Sequence, residues 1–470
     1  MTTTPAGDSN SAQNPGSGSG DQAVEVKFDP AAAHMNTPRI RPVRGFPVTA
    51  KAPDGAEHQM LGLADARQVS DRMVVAMPGF AHVLQQMDGS RNVDTLLAQI
   101  GRGLTRPALE GFIAQLDGAG LIEGPTFRNM LQKMHDEFDS QAVLPPGTTA
   151  QFTDALLAND PESPTDEPAR SQHAAKLLRN TFDQYIAEAL KDAADPAFTT
   201  LPKAIVAPHL DYPRGGLNYA SVYGRLRVAD RPDRIIILGT NHFGEATGIC
   251  ACDKGFSTAL GACEVDTALV AALRAALGDK LFAHRFDHER EHSIELQVAW
   301  IQHVFGTGAD GKYPPVFAAL IHDPATANGE SYDGKGVALQ PFVDAMKTAI
   351  AKLPGRTLIV ASADLSHVGP AFGDQQMLIG DGEAAEPAEQ FRNAVFRADD
   401  EALGLVVNNK PAELVASMAW QQNPTRWCSL GNLVATLLIV EPKEIKLLRY
   451  GPVMDPQGQG MVTSVAMVMG

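Results

Sequence analysis

Four apolar runs of strand length, at residues 204–207, 234–239, 316–321 and 357–362, constrain the fold of this chain more than any other feature. They are nearly continuous rather than alternating, the pattern of strands covered on both faces. Helical patterns lie between them at 266–277, 293–305 and 337–351. Strands alternating with helices predict an α/β domain whose mixed or mostly parallel sheet is flanked by helices, spanning 173–470. No internal repeat, dinucleotide glycine fingerprint or Walker pattern accompanies it, so nucleotide chemistry has no anchor.

Charge narrows the function classes. With 39 Lys plus Arg against 55 Asp plus Glu, the 470-residue chain has a formal net charge of −16. A general attraction to nucleic acid or to anionic lipid is excluded as a whole-chain property. The longest apolar runs fall far short of the roughly 18–20 residues that span a bilayer, so no membrane association is expected. Four cysteines are too few for a disulfide framework, and the polar start has neither a basic nor an apolar signal region, which reads as cytoplasmic.

Residues 1–36 are rich in Ser, Gly, Thr, Asn and Pro and read as a disordered tail. From 37 to 130, apolar residues recur at helical spacing at Phe80, Val83, Leu84 and Met87, and again at Val93, Leu96, Leu97 and Ile100 after the Asp88-Gly89 break. A third helix carries Leu109, Phe112, Ile113 and Leu116, and Leu121-Ile122-Glu123 reads as a short strand. Short helices with a β-wing predict a small winged-helix-like domain. The segments FAHVLQQMDGSRNVDTLLAQI and ALEGFIAQLDGAGLIE resemble the PqqD-like domain, and that resemblance implies peptide presentation or docking to a radical SAM enzyme. The third helix contains Glu110 and Asp117 and no Lys or Arg between 108 and 119, so it does not suit DNA. Residues 131–172, rich in Pro, Asp and Ser, read as a linker with a short helix inside it.

The chemistry follows the strands. The first run leads into Pro208-His209-Leu210-Asp211, the second into Asn241-His242-Phe243 and the fourth into Ala363-Asp364-Leu365-Ser366-His367. In open α/β sheets the carboxyl ends of the strands line the ligand crevice, so three strands deliver histidines to one rim. Imidazole suits Fe, Zn or Cu, and a thiolate or carboxylate can complete such a set. Asp364 is near enough to His367 to fix its tautomer or to line the same pocket. Cys428 precedes an apolar helix, where a thiol can serve as nucleophile or metal ligand.

Two other patterns carry less. His288-Glu289-Arg290-Glu291-His292 matches the H-E-x-x-H of zinc hydrolases. However, the apolar periodicity starts only after His292, which puts His288 in a preceding loop, and no later third ligand is spaced correctly. Cys250, Cys252 and Cys263 lack closed zinc-site spacing and read as core.

The segments IVAPHLDYPRGGLNYASVY, IIILGTNHFG, EREHSIELQVAW and LIVASADLSHVG, followed by Cys428, occur in the order and spacing of the Memo family, also called protein B of the AmmeMemoRadiSam system. About 270 of the 470 residues share the resemblance. It implies an extradiol dioxygenase-like fold with a metal held by His209, His242 and Cys428, with Fe(II) first and Zn or Cu as alternatives. His292, Asp364 and His367 are implied as catalytic neighbours. A radical SAM enzyme and other proteins of that system are implied as partners, and a peptide or a small aromatic molecule as substrate. A non-catalytic peptide-binding scaffold for the radical SAM partner is the alternative. Ser429-Leu430-Gly431 after the cysteine departs from the family pattern, in which Gly follows directly, so the rim chemistry is expected to differ.

Overall fold

A computed structural model describes residues 26–51, 57–101 and 103–470, and most of the expected tail, residues 1–25, lies outside them. The chain divides into two compact units, one ending at Glu137 and the other beginning at Phe138.

The first unit holds an antiparallel sheet of β1 (Val43–Lys51), β2 (Glu57–Asp65) and β3 (Met73–Ala76), in that order. This sheet was not anticipated as such. Pro47, Gly45 and Gly62 interrupt the strand signal in the sequence, and few large apolar residues of the sheet, such as Leu63 and Val74, are buried. The helices Val93–Ile100 and Arg106–Gly118 follow, each opened by a side-chain cap, Asn92 on the Thr95 N–H and Thr105 on the Ala108 N–H. Their inner faces (Val93, Leu96, Leu109, Phe112, Ile113, Leu116) form one core with Leu63, Val83 and Met87. Met35, which the sequence placed in the tail, is buried in the same core. Ile122 pairs with Ile40 as an isolated bridge rather than as a strand.

Residues read as a linker are largely helical in the structure. They include most of the helix Pro125–Ser140, the helix Thr148–Ala158 and the start of Glu167–Leu190, with the two-residue strand β4 (Val143–Leu144) among them. Much of the reason lies in one distant contact: Glu295 accepts the N–H groups of Gly147, Thr148 and Thr149 at 3.0, 3.1 and 2.8 Å, satisfying the free end of the helix Thr148–Ala158.

The second unit is the expected mixed α/β fold. Its strands are β5 (Ala204–Ala207), β6 (Arg234–Thr240), β7 (Cys250–Cys252), β8 (Gly255–Thr258), β9 (Gly261–Cys263), β10 (Val316–Ile321), β11 (Thr357–Ser362), β12 (Asp364–Val368), β13 (Ile445–Met454) and β14 (Met461–Met469). The main sheet runs β12-β14-β5-β11-β6-β10-β7, with β13 paired to β14. The centre, β5, β11, β6 and β10, is parallel, and antiparallel strands flank it. A small sheet, β4-β8-β9, lies apart from it.

Successive residues of the central strands enter opposite cores. Ile236, Leu238, Phe317, Ala319, Ile359 and Ala361 pack with the helices Thr267–Leu277, Leu339–Lys352 and Leu430–Val440. Ile235, Ile237, Ala318, Leu320, Leu358 and Val360 pack with Glu167–Leu190, Tyr212–Tyr223 and His292–Phe305. This two-sided burial is why the strands read as unbroken apolar runs. In the second core, Trp300 stacks on Phe182 with ring centroids 4.0 Å apart and lies near-parallel to Tyr219 at 5.7 Å. Those contacts fix the helix that begins at His292.

Candidate metal centre

The parallel strands β5, β6 and β11 end side by side, and each hands a polar loop to the same edge. His209 follows β5, His242 follows β6, and Asp364 lies two residues beyond β11. His292 opens the helix His292–Phe305 beside them. One nitrogen from each of His209, His242 and His292 lies within 4.8 Å of the others, a grouping that can hold a metal ion.

His209 is buried, and its Nδ1 lies 3.2 Å from the Ser362 carbonyl. A carbonyl only accepts, so Nδ1 carries the proton and the Nε2 lone pair is free. Nε2 faces Cys428 Sγ at 3.3 Å and Asp364 Oδ2 at 3.6 Å. Ser362 is itself held: its hydroxyl donates to Ser293 O at 2.5 Å and accepts from Gln297 Nε2 at 2.9 Å. Burial, with the other histidines nearby, pushes the His209 pKa well below the ordinary imidazole value and keeps the ring neutral.

His242 is oriented by Glu291. Nδ1 lies 3.0 Å from Glu291 Oε1, and the His242 backbone N–H donates to Oε2 at 2.8 Å. Burial opposes a charge on His242, but Glu291 and Cys428 beside it outweigh that and raise its pKa well above the usual value. Glu291 is likewise buried, yet His242 and His292 hold its carboxyl down at about 2. Burial lowers His292 to about 4 and raises Asp364 to about 7. Asp364 Oδ1 accepts the His209 backbone N–H at 3.1 Å.

Both Nδ1 atoms are thus occupied by protein acceptors, which leaves the His209 Nε2 lone pair free and the His242 Nε2 to be freed by loss of its proton, the arrangement typical of metal-ligating histidines with carbonyl and carboxylate partners. The donor set of imidazoles with an adjacent thiol fits a transition metal.

The Memo-like protein family model matches residues 172–463, more than half of the chain. The chain belongs to the Memo family. A MEMO1 family protein of Methanopyrus kandleri is 29% identical over 43% of this chain and 66% of its own length. One from Aquifex aeolicus is 23% identical over 64% of the chain and 70% of its length. Another, from Thermotoga petrophila, is 26% identical over 62% of the chain and 91% of its length. The chain therefore spans about two thirds of the length of the first two relatives.

Within the Memo domain, the residues singled out from the sequence do not all meet in the same way. His209, His242 and Cys428 are brought together. His292, expected as a catalytic neighbour, lies inside the nitrogen cluster itself, its ring 4.7 Å from that of His242. Asp364 serves His209 rather than His367. The His367 Nδ1 turns to its own neighbour, the Leu365 carbonyl, at 2.9 Å, and a bulge in β12 separates the two residues. His367 is not part of the three-nitrogen group.

His288 belongs to a short 3₁₀ turn, Arg285–His288, and its Nε2 lies 3.3 Å from the Cys250 carbonyl. It is not on the helix that carries His292, so the zinc-hydrolase pattern has no common helical face. Cys250, Cys252 and Cys263 are buried and unpaired, as expected of core residues. Glu291 was missed: it stands beside His292 in the EHS segment, and only the fold brings it against the loop after β6. Among the described residues, no helix is long and apolar enough to cross a membrane.

Proposed function

We propose that this Memo protein is a non-haem iron oxidoreductase of the extradiol dioxygenase type, with a divalent metal held by His209 Nε2, His242 Nε2 and Cys428 Sγ. The observation that carries this reading is the paired orientation of the two imidazoles, each with Nδ1 tied to a protein acceptor. Fe(II) suits this mixed nitrogen and sulfur set with positions left open, and Zn or Cu are the competing occupants. Bound there, the metal supplies a Lewis acid and, as Fe(II), a route to activate O2.

The remaining work belongs to the chain. His292, neutral at pH 7 because burial lowers its pKa to about 4 and set within the nitrogen cluster, accepts a substrate proton there. Asp364, raised by burial to about 7, holds a proton near neutrality and also fixes His209 through its backbone N–H. His367, uncharged through burial, lines the approach beside Phe372, whose ring centre is 5.3 Å away. Phe243 flanks His242 and His292 at 5.9 Å from each, so the rim offers aromatic faces to a small aromatic substrate. Four unpaired cysteines suit a reducing compartment, the cytoplasm.

The test is O2 consumption by Fe(II)-loaded protein across a panel of catechols, with His292→Ala beside it. Uptake that depends on both substrate and His292 supports the reading, and no uptake with any member of the panel removes the catechol-cleaving form of it.

A second reading has its own observation. In the first unit, β3 is an edge strand whose Met73 and Val75 are exposed, as is Met77 directly after it. An apolar sheet edge suits strand addition by an extended peptide, which supports a PqqD-like, winged-helix-type module that docks a peptide or a radical SAM enzyme of the AmmeMemoRadiSam type. Co-purification of such an enzyme with the full chain, lost in Val75→Asp, is the expected outcome. Equal recovery with both proteins contradicts it.

A further inference from the structure

Asp399 lies in the helix Ala385–Val407, fully buried and outside the donor cluster. It accepts four hydrogen bonds: Ser366 Oγ at 2.5 Å, Trp427 Nε1 at 2.7 Å, Tyr450 Oη at 2.7 Å and Thr463 Oγ1 at 2.6 Å. All four donors are neutral. A buried carboxyl group satisfied without a cation is costly to retain for packing alone, since an apolar residue could fill the same space.

The two most telling partners sit beside the centre. Trp427 directly precedes Cys428, and Ser366 directly precedes His367 on β12. The loop leading to Cys428 also carries backbone strain. Gln422, Asn423 and Arg426, none of them glycine, have φ of 59°, 47° and 58°. Such a loop relaxes unless its surroundings hold it. Asn423 clamps the Trp427 backbone at both ends, accepting its N–H at 2.8 Å and donating to its carbonyl at 3.0 Å. Arg426 Nε donates to the His367 carbonyl at 2.8 Å, and the His367 N–H donates to Thr425 O at 2.8 Å. On the far side of Cys428, the Ser429 hydroxyl accepts the Asp364 N–H at 3.2 Å.

We propose that Asp399 is a positioning residue for Cys428, acting through the Trp427 indole to hold the strained loop so that the thiol meets His209. It touches none of the donors itself. The inference rests on the reading of Cys428 as a metal ligand, and it also predicts a property of the metal-free protein.

Trp427→Phe removes the indole N–H and keeps most of the ring volume. Asp399→Asn keeps an oxygen for Trp427 and Ser366 and offers an amide to Tyr450 and Thr463, so it is the rescuing variant. Two readouts are taken on the full chain: Co(II) affinity with the sulfur-to-cobalt charge-transfer band, and the alkylation rate of Cys428 in metal-free protein. Trp427→Phe is expected to weaken Co(II) binding by about tenfold or more, the scale found for residues that support metal ligands. It is also expected to diminish the charge-transfer band and change the alkylation rate severalfold, with Asp399→Asn close to wild type in each. Wild-type affinity, band and alkylation rate in Trp427→Phe overturn the proposal. If wild-type protein shows no sulfur-to-cobalt band, the thiolate-ligand reading fails separately, and the alkylation rate alone decides: unchanged in Trp427→Phe, it overturns the positioning role.

Discussion

Glu291 grips His242 twice, with Oε1 3.0 Å from the ring Nδ1 and Oε2 accepting the backbone N–H of the same residue at 2.8 Å. The ring orientation and the path of the loop after β6 are therefore set by one carboxylate. The same carboxylate accepts the Ser293 N–H at 2.8 Å and lies 3.4 Å from His292 Nδ1. One buried side chain thus ties both imidazoles to the start of one helix.

Replacing Glu291 with Gln keeps the shape but leaves an amide where His242 Nδ1 needs an acceptor. The expected result is a 10- to 100-fold loss of affinity for Fe(II) or Co(II), measured by anaerobic titration. Unchanged affinity removes Glu291 from the account.

Metal binding is expected to tighten as pH rises. His242 has its pKa held well above the ordinary value, so near neutrality metal must displace a proton from it. Displacing one proton gives about a tenfold gain in affinity per pH unit below that pKa. Titrations at pH 6 and pH 8 check this, and a pH-independent affinity is the contrary result.

Asp364→Asn is expected to stabilise the metal-free protein at pH 8. Burial raises the carboxyl from 3.8 to about 7. Folding therefore favours its protonated form, and the associated stability is complete below the unfolded value and lost as pH rises through the folded one. Asn keeps an acceptor for the His209 N–H and does not ionise. The gain is absent near pH 3, grows up to about pH 7 and then levels at roughly 2–4 kcal/mol. Thermal unfolding across pH 4–8 measures it, and a difference that does not vary with pH contradicts the burial argument.

Cys428 and His292 are distinguishable as ligands. Cys428→Ala is expected to abolish the sulfur-to-metal charge-transfer band of Co(II)-loaded protein, and His292→Ala to retain it. Metal held by three histidines alone would show no such band in the wild type.

The four central strands were legible because burial on both faces leaves an unbroken apolar signature, and their carboxyl ends then pointed to His209, His242 and Asp364. The hairpin of β13 and β14 was less visible: β13 is largely exposed on one side, with Lys446 and Arg449 among its residues, and Pro452 and Gly451 interrupt it. β12 was hidden by following β11 after a single residue. Within the site, sequence supplied the identities but not the distances. His292 and Glu291 lie about 50 residues from His242, and only the packing of the helix His292–Phe305 across β6 makes them neighbours. Asp399 left no signal at all, because one acid of the run Asp399-Asp400-Glu401 in a long amphipathic helix looks like surface until its four donors are seen.

His209 and His242 are the two histidines on which metal binding is expected to depend. The most direct measurement is metal content by mass spectrometry on full-length protein purified without oxygen, with His209→Ala and His242→Ala beside it. About one iron per chain is expected in the wild type, with loss of stoichiometric metal in each variant. Wild-type metal content in both variants contradicts that dependence.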